Sequence, residues 1–126
     1  MDDEMYREHI LDLYRSPHNF GRLAHPDREH RSSNAVCGDD LTLQASVKGG
    51  RLSDIRFSGR GCAISMASAS LITDKAKGMT IKQAMALGKD DILELLQIPL
   101  SPVRLKCALL PLEALQQAIG EHHGDA

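Results

Sequence analysis

Tryptophan is absent from the 126 residues, and aromatic area is confined to two Phe and two Tyr. So few rings cannot build a surface that stacks nucleic-acid bases. An excess of positive charge is missing too: 15 Lys and Arg face 17 Asp and Glu, a net charge of −2 with His neutral. The electrostatic footprint of a nucleic-acid binder is lacking. No long apolar run occurs. The longest stretch without a charged residue, 61–73, spans 13 residues, too short to cross a bilayer and too rich in Ser and Gly for a signal-peptide core. The start, Met1-Asp2-Asp3-Glu4, is acidic, the opposite of a targeting segment. The expectation is a cytoplasmic protein with neither a membrane nor a nucleic-acid partner. Cysteine is scarce and odd in number, Cys37, Cys62 and Cys107. In a reducing compartment that argues against an internal disulfide framework.

What is present suits one domain, residues 1–126, with a polar tail over 120–126. Its 42% hydrophobic content must come mainly from Leu, Ile, Val, Ala and Met. Met5, Tyr6, His9-Ile10 and Leu13-Tyr14 recur at helical spacing and predict an amphipathic helix ended by Ser16-Pro17. Residues 16–33, with two prolines and three His, predict an extended surface loop that can hold a short strand. Leu41, Leu43, Ala45 and Val47 then alternate with polar residues, and Ile55 and Phe57 alternate with Asp54 and Arg56. A three-residue loop, Gly49–Arg51, places Leu43 opposite Phe57 and Ala45 opposite Ile55, the register that gives the hairpin one apolar face. Helices are expected from Ala63 to Lys77, Ile81 to Leu87, Asp90 to Leu96, and near Pro102 to Ile119. Pro111 costs the last of these little only if the helix starts near Cys107. Strands early and helices late, without βαβ alternation, indicate an α+β domain.

The cysteines share a context. Cys37 lies in the turn-prone Asn34-Ala35-Val36-Cys37-Gly38-Asp39-Asp40, Cys62 follows Gly59-Arg60-Gly61 just before a helix, and Cys107 follows Arg104-Leu105-Lys106 at the inferred start of the last helix. Two thiols at helix N-termini beside basic residues are poised to become thiolates, although inert buried thiols are the bland alternative. If the three sulfurs converge, they need a fourth ligand, and Asp39 is the candidate. A carboxylate is a harder, weaker ligand for a soft metal than thiolate, so three strong ligands and one weak one suit a site that releases what it holds. An Asp here also reads as a turn residue bonding its own backbone, with Asp40 as its solvated neighbour.

On these motifs the chain resembles the NifU/IscU/SufU-type iron–sulfur cluster assembly scaffolds, from about Tyr6 to Ile119. The resemblance rests on Tyr14-Arg15-Ser16-Pro17-His18-Asn19-Phe20-Gly21, with His18 where Arg is usual, and on Asn34-Ala35-Val36-Cys37-Gly38-Asp39, with Ala35 where Pro is common. It rests further on Gly59-Arg60-Gly61-Cys62-Ala63-Ile64-Ser65 and on Arg104-Leu105-Lys106-Cys107-Ala108. It implies a SufE/NifU-like α+β fold, about three antiparallel strands packed against four to five helices, with Cys37, Asp39, Cys62 and Cys107 at one end. It also implies a function. A cysteine desulfurase passes persulfide sulfur to a scaffold thiolate, with Cys107, Cys37 and Cys62 as candidate acceptors. Iron enters, a [2Fe–2S] cluster forms, and it passes to apo iron–sulfur acceptor proteins. The chain is then a binding protein rather than a turnover enzyme, a monomer or weak homo-oligomer.

Two features divide the subfamily. IscU-type members carry His before the third Cys, whereas Lys106 matches SufU-type members, which hold Zn2+ at the same Cys3Asp site and act as zinc-dependent sulfurtransferases. SufU-type members have an insertion between the second and third Cys that the short link here lacks. A structural zinc domain without sulfur traffic is the third reading. Lys106 and Arg104 can stabilise neighbouring thiolates, or Arg104 can pair with Asp39 when the site is empty; both also suit a solvated helix start. Leu100-Ser101-Pro102-Val103-Arg104 resembles the segment by which IscU-type scaffolds contact an Hsp70-type chaperone, but with Ser101 replacing a Pro it reads first as a Ser-Pro helix start. His122-His123 reads as part of a polar tail.

Overall fold

The computed structural model describes residues 2–120, so the tail over 121–126, His122-His123 included, lies outside the described residues. Element order is α1 (Asp2–Arg15), β1 (Arg28–Asn34), β2 (Asp39–Lys48), β3 (Arg51–Arg60), α2 (Ala63–Ala76), α3 (Ile81–Met85), α4 (Lys89–Leu96) and α5 (Pro102–Gly120). The three strands form one antiparallel sheet in the order β1-β2-β3. With five helices gathered against it, the domain is the expected α+β type.

The alternation in β2 and β3 decides which face is covered. Leu41, Leu43 and Ala45 of β2 and Ile55 and Phe57 of β3 are fully buried, each of the Leu, Ile and Phe side chains contributing roughly 1.5–3 kcal/mol against exposure. Leu43 pairs with Phe57 and Ala45 with Ile55, as the pattern requires. The loop that achieves this differs from the three-residue one expected. Lys48 pairs with Arg51 across a two-residue turn, and a bulge between Ser46 and Val47 restores the register. Gly49 (φ 59°) and Gly50 (φ 76°) supply the two positive φ angles that this tight, twist-compatible turn demands.

Polar β1 contributes no apolar stripe and is held as an edge strand by its backbone pairing to β2. The segment before it is not loose. Asn19 (φ 61°) lets the chain turn so that Phe57 N–H donates to Asn19 O and Gly21 N–H to Phe57 O, at 3.0 and 2.8 Å. His18 and Asn19 also bind Asp74 of α2, at 2.6 and 2.8 Å. Burial raises the Asp74 carboxyl pKa, but the bonds from His18 and Asn19 outweigh it and hold the carboxyl below its ordinary value.

Helix α2 packs on α1, α5 and β3, while α5 covers β1 and β2. Buried polar residues of α2 are satisfied: the Ser68 hydroxyl donates to Ala108 O at 2.6 Å, and Ser70 Oγ accepts His18 N–H at 3.1 Å. Only Ile10 and Leu13 of the apolar set in α1 are buried; Met5, Tyr6 and Tyr14 remain exposed. Helix α5 matches the expected range near Pro102 to Ile119 and corrects the inferred start near Cys107. It begins at Pro102, with Arg104 N–H donating to Ser101 Oγ, and Pro111 lies inside it, buried. The apolar face of Ala108, Leu112, Ala114, Leu115 and Ile119 closes the core and outweighs the roughly 3 kcal/mol that an interior Pro costs. No helix among the described residues is long and apolar enough to cross a membrane.

Candidate metal centre

Three chain segments meet at one end of the sheet. The β1–β2 connection carries Cys37, its turn begun by Val36 N–H donating to Asn34 Oδ1 at 3.1 Å. Two residues on, Asp39 opens β2 with its side chain on the helix-covered face, 2% exposed. Cys62 is the N-cap of α2, and Cys107 lies in the second turn of α5, fully buried. The ligand atoms of Cys37, Asp39 and Cys107 all lie within 4.8 Å of one another. Cys62 Sγ is not part of that group; it contacts Ser65 Oγ at 3.8 Å.

The expectation that all thiols stay free is corrected: Cys37 and Cys107 form a disulfide, with Cα atoms 6.7 Å apart across 70 residues of sequence, leaving Cys62 free. The odd count and neutral composition say nothing about this pairing, because only the packing of α5 beside the β1–β2 turn brings the two sulfurs together. A two-electron reduction returns them as thiols. Cys107 is also not at a helix N-terminus, so the dipole argument holds for Cys62 alone. The positive end of α2 instead meets Asp39, whose Oδ1 accepts Cys62 N–H at 2.9 Å and the Ser65 hydroxyl at 3.1 Å.

Asp39 Oδ2 is buried and has no hydrogen-bond partner. A buried acceptor left unmade costs on the order of 1–3 kcal/mol, more when charged. With the disulfide reduced, a carboxylate with an orphaned oxygen close to two thiolates is a donor set that fits a thiophilic cation. The expected Arg104–Asp39 pair is not formed, since Oδ1 is taken by Cys62 and Ser65 and Oδ2 stands alone. Arg104 is exposed and lines an apolar groove with Ile10, Leu11, Ile64, Ile98 and Leu100; Lys106 is exposed as well. Exposed Val36 and Val103 flank the sulfurs, and Cys37 Sγ contacts Val103 O at 3.9 Å. Asp40 is not merely solvated: Arg31 binds both its carboxylate oxygens, at 2.8 and 2.6 Å. The residue that sequence reasoning passed over is Ser65, whose signal is its place three positions after an N-cap whose own side chain makes no cap bond.

The NifU-like N-terminal domain model matches residues 5–126. The chain belongs to that family. Curated relatives include the iron–sulfur cluster assembly scaffold protein IscU of Escherichia coli K12, 36% identical over 122 residues covering 93% of each chain. The IscU 1 scaffold of Archaeoglobus fulgidus is 35% identical over 118 residues, 94% of this chain and 76% of that one. The zinc-dependent sulfurtransferase SufU of Bacillus subtilis is 34% identical over 139 aligned positions, covering 97% of this chain and 94% of that one. Because that alignment is longer than this 126-residue chain, SufU carries residues with no counterpart here. The crystal structure of FiSufU from Fervidobacterium islandicum AW-1 superposes with a TM-score of 0.80 at 25% identity, covering 94% of this chain and 99% of that one. The NifU-like N-terminal protein of Brucella abortus, 23% identical with a TM-score of 0.78 over 98% of each chain, shares the NifU-type fold.

Proposed function

We propose that this NifU-family chain is a scaffold on which an iron–sulfur cluster is assembled and from which it is handed on. The observation that carries this reading is the Asp39 carboxylate, close to the sulfurs of Cys37 and Cys107 and with its buried Oδ2 unpartnered. Sulfur arrives from a cysteine desulfurase: a scaffold thiolate attacks the outer sulfur of the donor's persulfide, that S–S bond breaks, and the donor's thiolate leaves. No external oxidant or reductant enters this step. Cys62 is free and partly exposed, and Cys37, partly exposed, becomes an acceptor once its disulfide with Cys107 is reduced, whereas Cys107 is buried and better suited to hold than to receive. The apolar rim of Val36 and Val103 suits a partner protein docking over the sulfurs. Two electrons per sulfur, from an external reductant, convert the bound sulfane sulfur to sulfide, and Cys37, Cys62, Cys107 and Asp39 then bind the cargo, iron with sulfide as a [2Fe–2S] cluster. Asp39 is the hard ligand among soft ones and the first bond to exchange when an apo-protein thiolate approaches. Arg104 and Lys106, basic and exposed, stabilise thiolate charge at the rim. Their position beside the chaperone-like segment 100–104 leaves an Hsp70-type partner as a further test of the same surface.

A second reading, a SufU-like sulfur acceptor that holds zinc in the same ligand set, is favoured by Lys106 in place of a His. Anaerobic purification under reducing conditions separates the two. A brown protein with equimolar iron and sulfide that transfers its cluster to an apo-ferredoxin supports the scaffold. A colourless protein with one zinc that accelerates sulfide release from a desulfurase sinks the scaffold reading.

A further inference from the structure

We infer that Ser65 is a positioning residue that helps hold one oxygen of the Asp39 carboxylate, so that the carboxylate offers a metal ion a single oxygen. The inference rests on the metal-site reading above. A carboxylate on a free side chain presents two equivalent oxygens and can chelate with both. Here they are made unequal. Oδ1 accepts two hydrogen bonds, from Cys62 N–H at 2.9 Å and from the Ser65 hydroxyl at 3.1 Å, while Oδ2, equally buried, accepts none. Turning the carboxylate to present both oxygens at once would strain both bonds in a place where Asp39 is 2% and Ser65 0% exposed.

Gly61 shows that the contact is built for. A Cβ there would fall 2.2 Å from Ser65 Oγ and 2.9 Å from Asp39 Oδ1, so any side chain at position 61 pushes the hydroxyl off the carboxylate. The Ser65 hydroxyl has one proton and a competing acceptor within its own helical turn, Cys62 O, at 3.1 Å. Helix formation therefore does not need Asp39 to satisfy Ser65, whereas Ser65 adds a second donor on the Asp39 oxygen that Cys62 N–H already holds. A ligand held in place through one oxygen makes a single, oriented bond without chelating, the property required of the exchangeable ligand.

A double-mutant cycle on the reduced full-length chain tests this, with Zn2+ affinity read by chelator competition and Co2+ visible spectra as the second readout. Ser65→Ala is expected to weaken Zn2+ binding 10–100-fold, the range typical for an outer hydrogen-bond partner of a metal ligand. In the Asp39→Ala background the same change should cost less than about twofold, because the hydroxyl acts only through the carboxylate. The Co2+ bands should shift in Ser65→Ala yet coincide between Asp39→Ala and the double variant. Equal losses in both backgrounds, or no loss in either, overturn the inference. Gly61→Ala disturbs the same contact from outside the helix and must give the same pattern, which keeps the test decisive if Ser65→Ala does not fold. A wild-type chain that binds neither metal brings down the metal-site reading together with this one. Wild-type binding matched by Ser65→Ala brings down this one alone.

Discussion

Asp39 and Asp40 are neighbours on one strand, and the pleat sends them into opposite worlds. Asp40, on the outer face, is gripped by Arg31 through both oxygens beside a hollow lined by Arg22 and Arg60. The Arg31 hydrogen bonds pull the Asp40 carboxyl below its ordinary pKa, and its charge is fully answered there. Asp39, on the inner face, has one oxygen saturated and the other left without a partner. Stability explains the first arrangement, and it does not explain the second. A carboxylate that is satisfied belongs to the fold; one kept half unsatisfied in a buried place is reserved for a ligand.

The comparison can be broken most forcefully from the sulfur side. Cys107→Ser should lower Zn2+ affinity by more than the roughly 10–100-fold typical of an outer hydrogen-bond partner, as measured by competition with a chelator on reduced protein. Retained affinity would mean that the half-satisfied end of the strand is not a metal centre. Next in size, Asp39→Ala should slow cluster hand-off to an apo-ferredoxin about fivefold, since exchange starts at the weakest ligand. Asp40→Ala, tested alongside, should leave transfer unchanged, and equal effects from the two would erase the distinction between the faces. The smallest effect sharpens the outer face. Removing Arg31 with Ala should let the Asp40 carboxyl rise toward the ordinary value, about 3.9, in an NMR titration. The sign follows from a folded-state pKa that is depressed. The pair's contribution to stability is complete above the unfolded-state value and is lost as pH falls through the lower folded one, so the variant should show less acid sensitivity in that window.

Much of this was legible in the chain. Alternation marked β2 and β3 and set Leu43 against Phe57, because a one-residue slip would expose the whole apolar set. The detail near the turn was not legible, since a bulge at Ser46/Val47 lets a two-residue turn and the apolar register coexist. Strand β1 carries no alternation of apolar residues, so nothing local announces it; backbone pairing to β2 makes it a strand. Pro111 misled the reading of α5 because propensity is local, whereas the buried face that overrides it is not. At the site, Cys37, Asp39 and Cys107 were candidates by context, and folding brings them together. The pairing of Cys37 with Cys107, the separation of Cys62 and the hold of Ser65 on Asp39 were invisible.

By itself the sequence determined the class of fold, the hairpin register, the absence of a nucleic-acid footprint and the four residues worth watching. Each of those follows from periodicity, charge count or the chemistry of a side chain and its immediate neighbours. Only the tertiary structure decided that one Asp oxygen would be occupied and the other left open, because that depends on the N-terminus of α2 arriving beside the start of β2 across more than 20 residues of sequence. Donors and acceptors so far apart in the chain leave no trace in local pattern, and their distances exist only once the core has closed.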